Sequence, residues 1–72
     1  MIYAQRIRDT REDKDLTQED IAKILGTSQK VYTRYETGIN KLPITHLITL
    51  CEFYNITADY FLGFTDEQKP IK

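Results

Sequence analysis

The sequence predicts an all-α domain, a bundle of five short helices without a sheet, and two observations carry this prediction. Apolar residues recur at spacings of three and four, the period of a helix buried on one face, and alternating β-branched runs are absent. Residues that begin and end helices also follow one another at short intervals, with Thr or Ser before several apolar stretches and Gly after them.

The first helix is predicted over residues 3–14, where Ala4, Ile7 and Arg11 share one stripe. Asp15 follows at a position that needs a positive φ, which Asp tolerates less well than Gly but better than most residues. This aspartate therefore marks the end of the helix.

The second helix has a clear start, because Thr17 is an N-cap residue and Asp20 stands at the capping-box position three residues later. Gly26 ends the helix in a left-handed conformation that carries no Cβ penalty. Ser28 then caps a third helix, which Gly38 ends. Only a short turn therefore separates these two helices.

Pro43 is predicted to open a fourth helix at its first position, where its missing N–H costs nothing. Asn55 ends this helix in a left-handed conformation, and Thr57 caps a short fifth helix that Gly63 ends. The buried stripe of the fourth helix is predicted to contain Ile44, Leu47, Leu50, Cys51 and Tyr54.

The length of 72 residues allows one small domain, which we place at residues 1–64. Residues 65–72 form a polar C-terminal tail that we expect to be frayed. So small a domain has no room for a large catalytic cleft, and no phosphate-binding glycine loop or nucleophile motif is present. We therefore expect no enzymatic activity.

The composition excludes further classes of protein. The single cysteine, Cys51, excludes an internal disulfide and a Cys-based zinc cluster, and His46 stands alone, so we expect neither a metal nor another cofactor. No apolar stretch reaches the roughly 18 residues of a membrane span and no signal peptide is visible, so we expect a cytoplasmic protein with no membrane partner. The chain contains no separate sensor segment, so we expect no small-molecule effector.

The formal net charge of −1 excludes a strongly basic protein, but the charges are unevenly distributed along the sequence. Residues 1–26 carry −1, residues 27–50 carry +2 and residues 51–72 carry −2. The positive charge therefore coincides with the third helix and the loop that follows it.

The most informative stretch extends from Thr17 to Gly38, where two helices are joined by a turn that contains Gly26. So short a joint excludes antiparallel packing and forces a steep crossing, which is the helix-turn-helix arrangement. Tyr32 and Tyr35 lie three residues apart and are expected to anchor the second helix of the pair on the core. The N-terminal end of that helix then protrudes.

The segment LTQEDIAKILGTSQKVYTRYETG, together with Pro43 and the closing DYFLG, resembles the Cro- and phage-repressor-like helix-turn-helix family, often called the Xre family. The resemblance covers about residues 4–63. It implies a lambda-repressor-like fold in which helices 2 and 3 form the helix-turn-helix. It also implies a bacterial or phage transcriptional regulator, most often a repressor, that binds double-stranded DNA as a homodimer on a near-palindromic operator.

The resemblance also implies roles for individual residues. Gln18 matches a residue that holds a phosphate, and Asn40 and Lys41 match contacts to the DNA backbone. The third helix matches the recognition helix, with the base-contacting positions Ser28, Gln29, Lys30, Thr33 and Arg34. Their chemistry agrees with this role, because Gln reads adenine and Lys and Arg read guanine. The alternative is an ordinary solvated helix face.

Arg11 and Glu36 match a pair that forms a salt bridge between the first and third helices of such repressors. The pair would orient the recognition helix and neutralise Glu36, which otherwise repels phosphate. The alternative is two unrelated surface charges.

Five of the eight Phe and Tyr residues lie between Phe53 and Phe64, more than so small a core is expected to bury. We therefore expect a homodimer interface formed by Phe53, Phe61 and Phe64, with extra core packing as the alternative. The aromatic surface at residues 53–64 also leaves a second function open, a protein-interaction module such as an antitoxin or adaptor.

Overall fold

The computed structural model describes residues 2–72 and contains five helices. In chain order they are α1 (Ile2–Asp13), α2 (Gln18–Leu25), α3 (Gln29–Thr37), α4 (Ile44–Tyr54) and α5 (Ala58–Leu62). No strand occurs in the described part of the chain, so the all-α prediction is confirmed. None of these helices is long and apolar enough to cross a membrane.

Local hydrogen bonds fix both ends of α2 at the predicted residues. The Thr17 hydroxyl accepts from the Asp20 backbone N–H at 3.0 Å, and the Asp20 carboxylate accepts from the Thr17 backbone N–H at 2.9 Å. The bond from the Thr17 backbone is the main cause that lowers the pKa of Asp20. Gly26 ends the helix with a φ of 72°, where a side chain would be strained. Neighbours in the sequence therefore set this corner.

The ends of α3 are also set by a capping hydrogen bond and a left-handed glycine. The Ser28 hydroxyl accepts from the Val31 backbone N–H at 3.2 Å, which caps the first turn. Gly38 closes the helix with a φ of 81°. Asp15 and Asn55 also take positive φ values, 56° and 55°, as predicted. With Gly63, whose φ is 87°, a single left-handed residue thus follows each of the five described helices.

Three local predictions differ from the structure in detail. α1 begins and ends one residue earlier than the approximate bounds expected. Pro43 precedes α4 as its N-cap residue, because its ψ of 145° is that of extended chain and the helix starts at Ile44. Thr57 is the N-cap residue of α5, as predicted, but its side chain makes no capping hydrogen bond. Its backbone N–H instead donates to the Lys69 carbonyl at 2.9 Å.

All five helices contribute to one core: α1 packs on α3 and α5, α2 packs on α3 and α4, and α4 packs on α5. The large side chains that are fully buried include Ile7, Ile21, Tyr32, Leu50 and Phe61. Thr10 is buried too, and its hydroxyl donates to the Arg6 carbonyl at 2.8 Å. The steep corner between α2 and α3 therefore rests on a core shared by the whole domain.

The polar tail after α5 is folded back on the domain, so the expectation that it frays was wrong. Arg6 donates to the Thr65 carbonyl at 2.5 Å and pairs with the Asp66 carboxylate at 2.7 Å. The Asn55 side-chain oxygen accepts from the Ile71 backbone N–H at 3.1 Å. The composition of the tail did not reveal these bonds, because they join its backbone groups and the Asp66 carboxylate to two side chains that are distant along the sequence.

Candidate nucleic-acid interface

The two faces of α3 differ in exposure. Tyr32, Tyr35 and Glu36 are buried and hold the helix on the core. The two tyrosine rings meet edge to face, with centroids 6.3 Å apart. The other face is solvent-exposed and polar. The first face therefore keeps the helix in place and leaves the second face open to solvent.

The structure places four of the five predicted base-contacting residues on the exposed side. Ser28, Gln29 and Lys30 lie at the N-terminal end of α3, and Arg34 follows one turn later. Neither Lys30 nor Arg34 forms an ion pair with a carboxylate in the described chain. Both cations are therefore available to an anionic partner.

Thr33, the fifth of these residues, is half-buried and its hydroxyl is already engaged. Its Oγ1 lies 2.8 Å from Gln18 Oε1 and 2.9 Å from the Gln29 carbonyl oxygen. The Gln18 amide in turn donates to Glu36 Oε1 at 3.1 Å. The structure thus links two residues that were assigned separate roles, one toward bases and one toward a phosphate. No local pattern in the sequence indicates this link.

Arg11 and Glu36 meet, as the resemblance implied. Arg11 Nε lies 2.7 Å from Glu36 Oε2, and Nη2 lies 3.1 Å from Oε1, so the contact is bidentate. The two side chains are only 12% and 2% exposed. Arg11 Nη1 also donates to the Leu16 carbonyl at 2.8 Å. One guanidinium therefore joins α1, the loop before α2, and α3.

This environment fixes the charge of both groups. Burial alone would raise the pKa of the Glu36 carboxyl, but hydrogen bonds, led by the one from Arg11, outweigh it and lower the pKa. The hydrogen bond to Glu36 raises the pKa of Arg11. Glu36 is therefore ionised near neutral pH, and its charge is neutralised, so it does not oppose a phosphate near α3.

The predicted phosphate-contacting residues flank α3 in two places. Lys41 is exposed in the loop after α3, and Asn40 is half-buried, with its backbone N–H donating back to α3 at 3.1 Å. Gln18 opens α2, whose first turn also holds Glu19 and Asp20. These two carboxylates oppose a phosphate at that helix end, so a contact there depends on the Gln18 amide and on free backbone N–H groups.

The predicted dimer surface is wrong at Phe61, which is 0% exposed. α5 has a single buried position, and Phe61 occupies it with its ring centroid 6.2 Å from that of Tyr54. Core packing, the alternative reading, therefore applies to this residue. Phe53 and Phe64 are 45% and 79% exposed, so they remain available to a partner.

An apolar groove between α4 and α5 was not predicted from the sequence. The groove has a volume of about 400 Å³, and its lining includes Ile44, Ile48, Leu62 and Ile71. Ile44 was predicted to be buried but is 72% exposed, because Leu47 is the first residue of α4 that reaches the core. A signal was present in the sequence, since Ile44 and Ile48 lie four residues apart and share a face.

The described residues hold no group of three or more His, Cys, Asp or Glu side chains that could bind a metal ion. Cys51 is buried beside the apolar groove, and burial raises the pKa of its thiol. The His46 ring packs 5.9 Å from the Tyr35 ring. Both residues therefore contribute to packing.

The profile of a protein family described as "Helix-turn-helix" matches residues 7–61. The chain is 36% identical to YobD of Bacillus subtilis, an uncharacterized HTH-type transcriptional regulator, over 96% of this chain and 62% of that protein. It is 31% identical to the cryptic phage CTXphi transcriptional repressor RstR of Vibrio cholerae, over 76% of this chain and 50% of the repressor. Antitoxin PezA of Streptococcus pneumoniae is 26% identical over 99% of this chain and 45% of the antitoxin.

The chain spans less than two thirds of the length of each of these relatives. No solved structure matches it. The match to the family profile covers the region from the middle of α1 to Phe61 in α5, which includes the α2–α3 corner and the whole exposed face of α3.

Proposed function

This chain belongs to the Xre- and Cro-like helix-turn-helix family and has its lambda-repressor-like fold, and from that premise we propose that it is a sequence-specific DNA-binding regulator of transcription. The observation that carries the proposal is the exposed face of α3, where Lys30 and Arg34 are free of carboxylates of the described chain. The +2 charge of residues 27–50, between two negative segments, supports an anionic partner. The proposed activity is binding without catalysis, in the cytoplasm.

We propose that the protein recognises the DNA sequence by placing the N-terminal half of α3 in the major groove. Gln29 can make two hydrogen bonds to adenine, and Lys30 and Arg34 can donate to O6 and N7 of guanine. Val31, which is half-buried beside them, is suited to a thymine methyl group. Ser28 still has its hydroxyl proton to donate, because the cap uses the oxygen only as an acceptor.

The proposed backbone contacts come from Gln18, Asn40 and Lys41. Only Lys41 among them brings a positive charge, and the first turn of α2 is acidic. Few counterions are released by so few cations, so we expect weak affinity for random DNA and a shallow dependence on salt. Tight binding then requires two copies of the domain on one operator.

A second copy of this chain is the proposed occupant of the α4–α5 groove. No residue that lines the groove belongs to α2 or α3, so pairing there leaves the α3 face free. The exposed Phe53 and Phe64 side chains extend the apolar surface, and a net charge of −1 does little to hold two copies apart. A two-fold dimer would place two α3 helices about 34–36 Å apart, one turn of B-DNA.

The proposed mode of regulation is repression by occupancy. A dimer bound to a near-palindromic operator within a promoter excludes the polymerase from the same DNA. The similarity to a phage transcriptional repressor supports this mode over activation.

The proposal is tested by titrating random duplex DNA with the protein at several salt concentrations. A DNA-binding protein should show log K falling with log salt, with a slope of about −0.9 for each phosphate contact. Selection of bound sequences from random DNA should then yield near-palindromic sites with half-sites about one helical turn apart. The absence of any binding at low salt would overturn the proposal.

A second candidate function is an interaction module in which the α4–α5 surface grips another protein. The observation that favours it is the similarity to an antitoxin over 99% of this chain. Sedimentation and the DNA titration together distinguish the two candidate functions. A chain that stays monomeric at hundreds of micromolar and binds no DNA at low salt favours the interaction module.

A further inference from the structure

A chain of polar contacts runs from the core to the exposed edge of the α2–α3 corner. Arg11 pairs with Glu36, Glu36 accepts from the Gln18 amide at 3.1 Å, and the Gln18 carbonyl oxygen accepts from the Thr33 hydroxyl at 2.8 Å. Gln18 and Thr33 are both half-buried, so the end of this series of contacts that they form lies at the protein surface.

The chemistry of these groups allows only one orientation of the Gln18 amide. Glu36 is an ionised carboxylate whose pKa is lowered, so it can only accept hydrogen bonds. The amide nitrogen of Gln18 must therefore face Glu36, and its oxygen must face Thr33. The Thr33 hydroxyl supplies the donor that this oxygen needs.

This orientation leaves the second N–H of the Gln18 amide without an acceptor among the described residues. Gln18 is the first residue of α2, where free backbone N–H groups favour an anion and the Glu19 and Asp20 carboxylates of the same turn oppose it. A fixed amide N–H at this position adds to those donors at little cost in conformational entropy, because its side chain is already ordered.

We propose that Thr33 is a positioning residue that holds the Gln18 amide ready for a DNA phosphate oxygen, rather than a residue that contacts bases. This inference rests on the proposed DNA-binding function and changes the role of one of its residues. The Thr33 hydroxyl has a single proton, and both oxygens near it lie within the protein. It therefore has no proton to donate to a base while it holds Gln18.

The first test measures the amide directly, without DNA. In the free protein, the NMR signal of the Gln18 amide proton that donates to Glu36 should be shifted from its position in a free glutamine, and this proton should exchange slowly. Thr33→Val removes the hydroxyl but keeps the branched shape, and should move this signal toward that of a free glutamine. Thr33→Ser restores the hydroxyl and should restore the signal. Unchanged Gln18 signals in Thr33→Val would overturn the proposal whether or not the protein binds DNA.

The second test measures affinity for random and for selected duplexes. Thr33→Val should weaken binding to both by the same factor, about three- to tenfold, and should add nothing once Gln18→Ala is present. The matched control is Thr49→Val, which removes a similar hydroxyl bond to the carbonyl four residues earlier, in α4, and should leave affinity unchanged.

The outcomes separate this proposal from the proposed function. A loss in Thr33→Val that is confined to the selected duplex and persists in the Gln18→Ala background would show that Thr33 contacts a base. If the unmodified protein binds no duplex at low salt, the DNA-binding function fails, and the amide signals alone decide whether Thr33 positions Gln18.

Discussion

The α3 and α4 helices are built alike but present opposite kinds of surface. Each has a buried stripe at helical spacing, and each keeps a second face outside the core. On α3 that face holds Lys30 and Arg34, whereas on α4 it holds Ile44 and Ile48. The buried stripe therefore identifies only the inner side of a helix. The other face suits the kind of partner that we propose for it, a polyanion for α3 and an apolar surface for α4.

The largest expected effect is the loss of stability when the ion pair that anchors α3 is removed. Arg11→Ala leaves the buried Glu36 carboxylate without its bidentate partner, so we expect the free energy of unfolding to fall by about 3–5 kcal/mol. Urea unfolding followed by circular dichroism measures the change. Arg8→Ala is the matched control, because Arg8 pairs with Glu12 at 3.3 Å on the exposed side of α1. We expect it to change stability by about 0.5 kcal/mol or less. Similar losses in both variants would contradict an anchoring role for the buried pair.

The next effect concerns the polar face of α3. Arg34→Ala should weaken binding to the selected operator by about 1–3 kcal/mol, because a bidentate contact to guanine is lost. Lys41→Ala should instead weaken binding to all duplexes alike. Titration of both variants against the operator and a scrambled duplex measures the difference. Equal loss on both duplexes for Arg34, or base-selective loss for Lys41, would reverse the assigned roles.

The apolar face of α4 is tested by self-association. Ile48→Glu places a charge in the α4–α5 groove and should weaken dimerisation at least about tenfold, because the charge would lose its water in the interface. Sedimentation equilibrium measures the dissociation constant. Ile39→Glu is the matched control, since Ile39 is also an exposed isoleucine but does not line the groove. If Ile39→Glu weakened association as much as Ile48→Glu, the groove would not be the interface.

The smallest expected effect is a change in pH dependence. The pKa of Glu36 is lowered from its ordinary value of 4.5, so its contribution to stability is fully present above that pH. The contribution is lost as the pH falls through the lowered value. Glu36→Gln should therefore show a shallower decline of unfolding free energy between about pH 5 and pH 3. Asp20→Asn, at an exposed cap whose pKa is also lowered, should flatten the decline less. An unchanged slope in Glu36→Gln would contradict the buried ion pair.

Sequence reasoning succeeded where a feature depends on neighbours in the chain. The caps at Thr17 and Ser28 and the left-handed Gly26 use bonds to backbone groups within one turn. The pair of Arg11 and Glu36 lies 25 residues apart, and it was expected only through the resemblance to a known family.

Sequence reasoning failed where two or more elements compete for the same space. Phe61 and Phe64 look alike as sequence, but only the orientation of α5 shows that the first is buried. The polar tail looked frayed, because its partners Arg6 and Asn55 are distant along the chain.

The amino-acid sequence by itself determined the number and order of the helices, the corner between α2 and α3, and the buried tyrosines of α3. These features follow from helical periodicity and from caps, which act within one or two turns of chain. Only the tertiary structure decided that Ile44 and Ile48 face a groove and that Thr33 holds Gln18. Such contacts depend on the angles at which separate helices pack, and local sequence patterns do not specify those angles.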